Sequence, residues 1–125
     1  MTARHDCPLC RDTAENVLWR GDRVRVISVD DGLYPGYTRV IWQNHVREMT
    51  DLQRGHRDEL MNIVWHVEQT LRQCMRPDKV NLAQLGNMVP HVHWHVIPRW
   101  QSDSHFPDAV WAPPPSRTIA QDTAW

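Results

Sequence analysis

Between Trp19 and Val29 the chain alternates, with Val24, Val26 and Ser28 set against Arg23, Arg25 and Ile27. This is the period-two pattern of a strand with one covered face. Asp30-Asp31-Gly32 and Pro35-Gly36 punctuate a turn. Tyr37 to Gln43 is rich in β-branched and aromatic side chains, which predicts a second strand paired with the first as an antiparallel hairpin with a long loop. The period then changes. After the capping residues Thr50-Asp51-Leu52, Leu60, Ile63, Val64, Val67, Leu71 and Cys74 recur three and four apart, predicting an amphipathic helix that stops before Pro77. Val80 to Leu85 reads as a third strand, Gly86-Asn87 as a turn, and His91 to Ile97 as a fourth strand closed by Pro98. The first dozen residues lack periodicity and read as a loop. Pro107 and Pro113-Pro114-Pro115 keep the chain extended beyond about residue 101, so residues 1–100 read as one domain and 101–125 as an extended tail. Trp42, Trp65 and Trp94 are assigned to the core, Cys74 to a buried helix position, and His56 and His105 to the surface.

Composition narrows the function. A length of 125 residues is one ordinary domain, and 41% hydrophobic with 23% charged residues suffices for a compact core. Fourteen basic against fifteen acidic side chains leave a formal net charge of −1, without the footprint of a protein that binds nucleic acid in bulk or an anionic membrane. A small-molecule ligand is the expectation. The apolar runs are too short for a membrane span, and Thr2-Ala3-Arg4-His5-Asp6 does not read as a signal peptide. Three cysteines do not complete a disulfide set, so the expected setting is the reduced cytoplasm.

The chemistry concentrates in His91-Val92-His93-Trp94-His95-Val96-Ile97. On a strand, Val92, Trp94 and Val96 take one face and the three histidines the other, about 6.6 Å from one to the next. A solvent-facing polar surface would be served equally well by Ser, Thr, Lys or Glu. Two functional readings remain: His-x-His ligation of one metal, as in open catalytic zinc sites, or a nucleophilic imidazole flanked by helpers. Asn81, Gly86 and Asn87 lead into the run and offer neutral donors suited to phosphate oxygens. A zinc hydrolase wants a carboxylate near its ligands, and Val80 to Trp100 contains neither Asp nor Glu, which favours the nucleophile.

These residues resemble the histidine triad (HIT) superfamily of nucleotide hydrolases and transferases: a His-φ-His-φ-His-φ-φ run preceded by a Gly-amide turn, a helix and a strand pair ending in a histidine. The resemblance extends from about Cys7 to Trp100, closest to small bacterial-type members akin to dinucleoside polyphosphate hydrolases. It implies an α+β fold with an antiparallel sheet of about five strands, one long helix and a homodimer. It assigns His93 as the nucleophile at the α-phosphorus, the His91 backbone carbonyl as its orienting group and His95 as a donor near the scissile phosphate. Asn87 takes the place of a phosphate-contacting Gln, and Asp30 that of the residue holding the ribose hydroxyls. Met88 departs from the pattern, in which many hydrolytic members carry Ser or Thr, and leaves a nucleotide-binding module of low turnover as an alternative. Phosphate charge is met by His95, Asn87 and backbone N–H groups, so no Mg²⁺ requirement is expected. Trp100, Trp111 and Trp125 could cover a subunit interface or the nucleotide pocket.

Cys7-Pro8-Leu9-Cys10 leaves redox, inert and zinc readings. It precedes the first strand with a proline inside it, unlike a thioredoxin-type pair. Two thiolates need two more ligands for zinc; His45, at the end of the second strand, and His91 complete a Cys₂His₂ set, with His5 as a rival. Such a site would be structural, and some HIT proteins and their uridylyltransferase relatives resemble this arrangement.

Overall fold

The alternating stretches become strands of one sheet. In the computed structural model, which describes residues 7–11, 16–30 and 32–113, β1 (Asn16–Arg20), β2 (Val24–Ser28), β3 (Thr38–Trp42), β4 (Lys79–Ala83) and β5 (His93–Arg99) form a five-stranded sheet in the order β1-β2-β3-β5-β4. All neighbours are antiparallel. A short helix α1 (Pro8–Arg11) precedes the sheet, and one long helix α2 (Arg54–Met75) connects β3 to β4. The α+β fold is the one expected. No helix among the described residues is long and apolar enough to cross a membrane.

Alternation sorts the sheet into two faces. Val24, Val26, Val40, Trp42 and Val96, with Val92, meet Leu60 and Val64 of α2 to form the main core. Arg25, Ile27, Arg39, Ile41, His93 and His95 lie on the other face, where Cys7 and Leu9 cover Ile27 and Ile41. Helix α2 ends where Arg76 enters the left-handed region at φ 51°, its N–H bonding the Arg72 carbonyl, immediately before Pro77.

Several boundaries differ from the sequence reading, each for a physical reason. Trp19–Val29 is not one strand: Asp22 and Arg23 form a tight turn, with Gly21 N–H bonding the Val24 carbonyl at 2.8 Å across it, and Asn16–Arg20 is a separate edge strand. The β1–β2 register shifts between Val17 and Trp19, and four of the five β1 residues are exposed, so β1 carries no alternation to detect. The strand expected over His91–Ile97 runs from His93 to Arg99 and includes Pro98. Proline is tolerated there because β3 stops at Thr38, opposite Val96, leaving position 98 with a ladder partner on β4 alone. Thr50 and Asp51 form a 3₁₀ turn ahead of α2 instead of capping it. Cys74 is exposed, because the side chains of α2 packed on the core end at Leu71. Trp65 is 53% exposed, beside buried Val64 on the outward side of the helix. His105 is buried against Tyr34, and His56 is half-buried against the Trp42 ring. Residues 101–113 form successive turns where an extended path was expected; Trp125 and residues 114–125 lie outside the described residues.

Candidate functional site

β5 places His93 and His95 on the sheet face away from α2, across from Ile41 and Arg39 of β3 respectively. Both imidazoles are buried, with ring centroids 4.9 Å apart in an edge-to-face arrangement. His93 Nδ1 lies 2.6 Å from the backbone carbonyl of His91. A carbonyl only accepts, so Nδ1 carries the hydrogen and donates, and Nε2 is left with its lone pair. His95 Nδ1 lies 2.8 Å from the Tyr37 hydroxyl, and Trp111 stands edge-on to the His95 ring at 4.8 Å.

Burial lowers the pKa of His93, opposed in part by its bond to the His91 carbonyl and assisted by the Arg39 charge. His95 is pushed down to about 3, first by burial and then by His93 and Arg39. Both rings are neutral at neutral pH, the state in which an imidazole can attack or donate through one nitrogen.

His91 turns its ring elsewhere. Its Nε2 donates to the Trp42 carbonyl at 2.5 Å, which directs the Nδ1 lone pair at Cys7 and Cys10, each sulfur 3.4 Å away. Cys10 Sγ is also 3.4 Å from His45 Nδ1. The turn of α1, with Cys10 N–H bonded to the Cys7 carbonyl, brings the two thiols together. All four ligand atoms lie within 4.8 Å of one another. Two soft sulfurs and two imidazole nitrogens form a donor set that suits tetrahedral zinc, and the bond to Trp42 fixes the tautomer such a ligand needs. His5 lies outside the described residues. The three triad imidazoles do not share a point: among the described residues, the group that converges is the one containing the cysteines.

The remaining sequence candidates are dispersed. Asp30 is exposed just beyond β2 and lines a cavity with Asn16, Ser28, Gly32, Tyr34 and Gly36. Asn81 Oδ1 accepts from Arg99 at 2.8 Å, so its amide oxygen is engaged within the fold. Gly86 has φ 74°, a left-handed turn conformation that favours glycine. Asn87 is exposed and Met88 is 96% exposed. Sequence reasoning missed Tyr37 and Arg39 as members of this face. The available signal was the alternation of β3, which sets Arg39 and Ile41 opposite to Val40 and Trp42.

The HIT domain family model matches residues 11–102. The chain belongs to the HIT domain family. Its sequence is 27% identical over 107 residues to an AP-4-A phosphorylase of Mycobacterium tuberculosis, covering 81% of this chain and 55% of that protein. It is 31% identical over 85 residues to an asymmetrical bis(5'-nucleosyl)-tetraphosphatase of Schizosaccharomyces pombe, covering 64% and 47% respectively. The chain thus spans about half the length of the curated relatives it matches. Among solved structures, a histidine triad protein of Bradyrhizobium japonicum superposes with a TM-score of 0.71 at 25% identity, over 87% of this chain and 84% of that one. A histidine triad protein of Marinobacter aquaeolei also gives 0.71, at 27% identity over 87% and 82%. In this HIT domain the five strands and single long helix are those of its structural relatives.

Proposed function

We propose that this HIT protein is a nucleotide hydrolase or nucleotidyl transferase that acts at the α-phosphate of a purine nucleotide of the dinucleoside polyphosphate type, through a covalent nucleotidyl–His93. The observation that carries the reading is the bond from His93 Nδ1 to the His91 carbonyl, which leaves a lone pair on Nε2 of a buried, neutral ring. That pair forms an N–P bond at the α-phosphorus, while the P–O bond to the leaving group breaks and its electrons depart with the leaving polyphosphate. Water, losing a proton to solvent, or inorganic phosphate then forms a P–O bond at the phosphorus as the N–P bond breaks and its pair returns to Nε2. With the Tyr37 hydroxyl donating to its Nδ1, His95 offers an Nε2–H to phosphate oxygens. The turn at Gly86 and Asn87 and the Asn81 amide nitrogen are further candidate phosphate contacts, and Asp30 is the candidate for the ribose hydroxyls. The names of the two relatives support the substrate class. The reading includes a homodimer working in the cytoplasm without a Mg²⁺ requirement.

We infer in addition that Cys7, Cys10, His45 and His91 hold a structural zinc ion, supported by the convergence of their donor atoms. Bound there, zinc would cross-link the N-terminal segment to the segments that follow β3 and precede β5, and would supply no chemistry at the phosphate.

Native mass spectrometry after brief exposure to diadenosine tetraphosphate tests both. The expected result is a nucleotidyl adduct and one zinc per chain. In His93→Ala the adduct is absent and turnover falls roughly 10³-fold or more, with nucleotide still bound. Turnover near the native rate in His93→Ala overturns the covalent mechanism. A native protein without zinc overturns the metal assignment.

A further inference from the structure

On the inner strands β2, β3 and β5, three arginines lie on the sheet face that carries the histidines, and two of them are held within the fold. Arg25 donates to Gln43 Oε1 at 2.7 Å and to the Leu9 carbonyl at 2.6 Å. Arg99 is gripped by Asp103, Asn81 and the Asp108 carbonyl. Arg39 differs. Its Nε is shielded from solvent with no hydrogen-bond partner, and no carboxylate among the described residues pairs with its guanidinium. A desolvated donor on a cation, left without a partner, is costly to the fold. Its position is specific: Arg39 pairs with His95 across the β3–β5 ladder, its backbone one strand spacing from that residue and its side chain on the same face of the sheet. It is displaced diagonally from His93, which pairs with Ile41. Its charge is felt at the His95 ring.

Resting on the nucleotidyl-transfer reading above, we propose that Arg39 binds the phosphates beyond the α-phosphate, and so makes the site selective for polyphosphate leaving groups over small uncharged ones. The α-phosphorus belongs at His93 Nε2, and the donor His95 adjoins both groups, beside the nucleophile along β5 and beside Arg39 across the ladder. A chain of further phosphates running from His93 past His95 reaches a guanidinium whose fork matches phosphate oxygens and whose unmet donor receives an acceptor. A substrate losing ammonia presents no charge there.

The test uses the full chain and two probes, diadenosine tetraphosphate and adenosine 5'-phosphoramidate. In Arg39→Met, the ratio of kcat/KM for the tetraphosphate to that for the phosphoramidate is expected to fall roughly 10- to 100-fold, the range of a lost charge-assisted pair. Calorimetric affinity for inorganic tripolyphosphate is expected to fall roughly tenfold or more. In Arg39→Lys the charge remains without the fork, and the ratio is expected to fall by about threefold to tenfold. A ratio and a tripolyphosphate affinity both within about twofold of the native values in folded Arg39→Met overturn the proposal. If thermal melting shows Arg39→Met unfolded, an unchanged ratio in Arg39→Lys overturns it. Failure of the nucleotidyl-transfer reading is distinguishable, because the native protein then forms no adduct with either nucleotide while the tripolyphosphate measurement still decides on Arg39.

Discussion

The Tyr37 hydroxyl at His95 Nδ1 can set which nitrogen of that ring carries the proton. That hydroxyl reaches His95 Nδ1 from the residue just before β3, and when it donates, the imidazole keeps its hydrogen on Nε2, the nitrogen available to a phosphate oxygen. In Tyr37→Phe the ring remains but the proton assignment is released. We expect kcat to fall roughly tenfold or more with KM changed by less than about twofold, since a donor to the transition state is weakened and ground-state binding is not. A KM rise with kcat intact would show that Tyr37 shapes the pocket only. At this scale the sequence discloses residues whose type and spacing are unusual: Cys7-x-x-Cys10 and the triad identify themselves, and His45 follows from the search for a fourth ligand. Tyr37 and Arg39 stay hidden because their meaning depends on the β3–β5 register, which brings together residues 58 positions apart. Cys74 keeps the helical spacing and is still exposed, because a stripe records periodicity and not how far the sheet beneath it extends, whereas Trp65 lies off the stripe beside Val64 and faces outward.

Among the elements, β5 is legible because His, Trp and Val alternate strictly, and α2 because its apolar positions keep helical spacing. β1 is not, since an exposed edge strand with a register shift has no face to encode. The burial that makes β5 a platform also ties stability to acidity through His95. Its folded pKa, about 3, lies below the ordinary imidazole value of 6.5. As pH drops below 6.5 the unfolded chain takes up a proton that the folded chain refuses, so the contribution is fully present above about 6.5 and is lost progressively as pH falls toward about 3. The slope from this residue approaches about 1.4 kcal/mol per pH unit. Denaturant unfolding is expected to show stability falling between pH 6 and pH 5, above the range where ordinary carboxylates titrate, with a shallower fall in His95→Asn. Equal slopes in the two proteins would remove His95 as the cause.

Across the described residues, the sheet divides its labour: the face under α2 carries the main core, and the face away from it carries the candidate site. The segment after β5 is bound to this second face through Arg99, 1% exposed, whose Nε and Nη2 donate to the two Asp103 carboxylate oxygens at 2.8 and 3.0 Å. Asp103 also accepts from the backbone N–H groups of Trp100, His105 and Phe106, so one carboxylate shapes the turns that carry Trp111 to His95. Asp103→Ala leaves Arg99 buried without its counter-charge, and we expect a loss of about 3–5 kcal/mol in chemical denaturation. Adding Arg99→Met is expected to recover part of that loss, and a double variant as unstable as the sum of the singles would show that the two residues do not act as a pair.

β5 is thereby fastened at both ends, by the cysteine cluster on His91 just ahead of it and by Arg99 at its last residue. During synthesis this ordering imposes a delay. Cys7 leaves the ribosome 84 residues before His91, a gap of roughly 4–17 s at about 5–20 residues per second. Cys10 gains His45 only 35 residues on, and until His91 follows both thiols stand on a nascent chain without the full set of imidazole partners, open to oxidants and to competing metals, and they are sequestered only once the residues leading into β5 have been made.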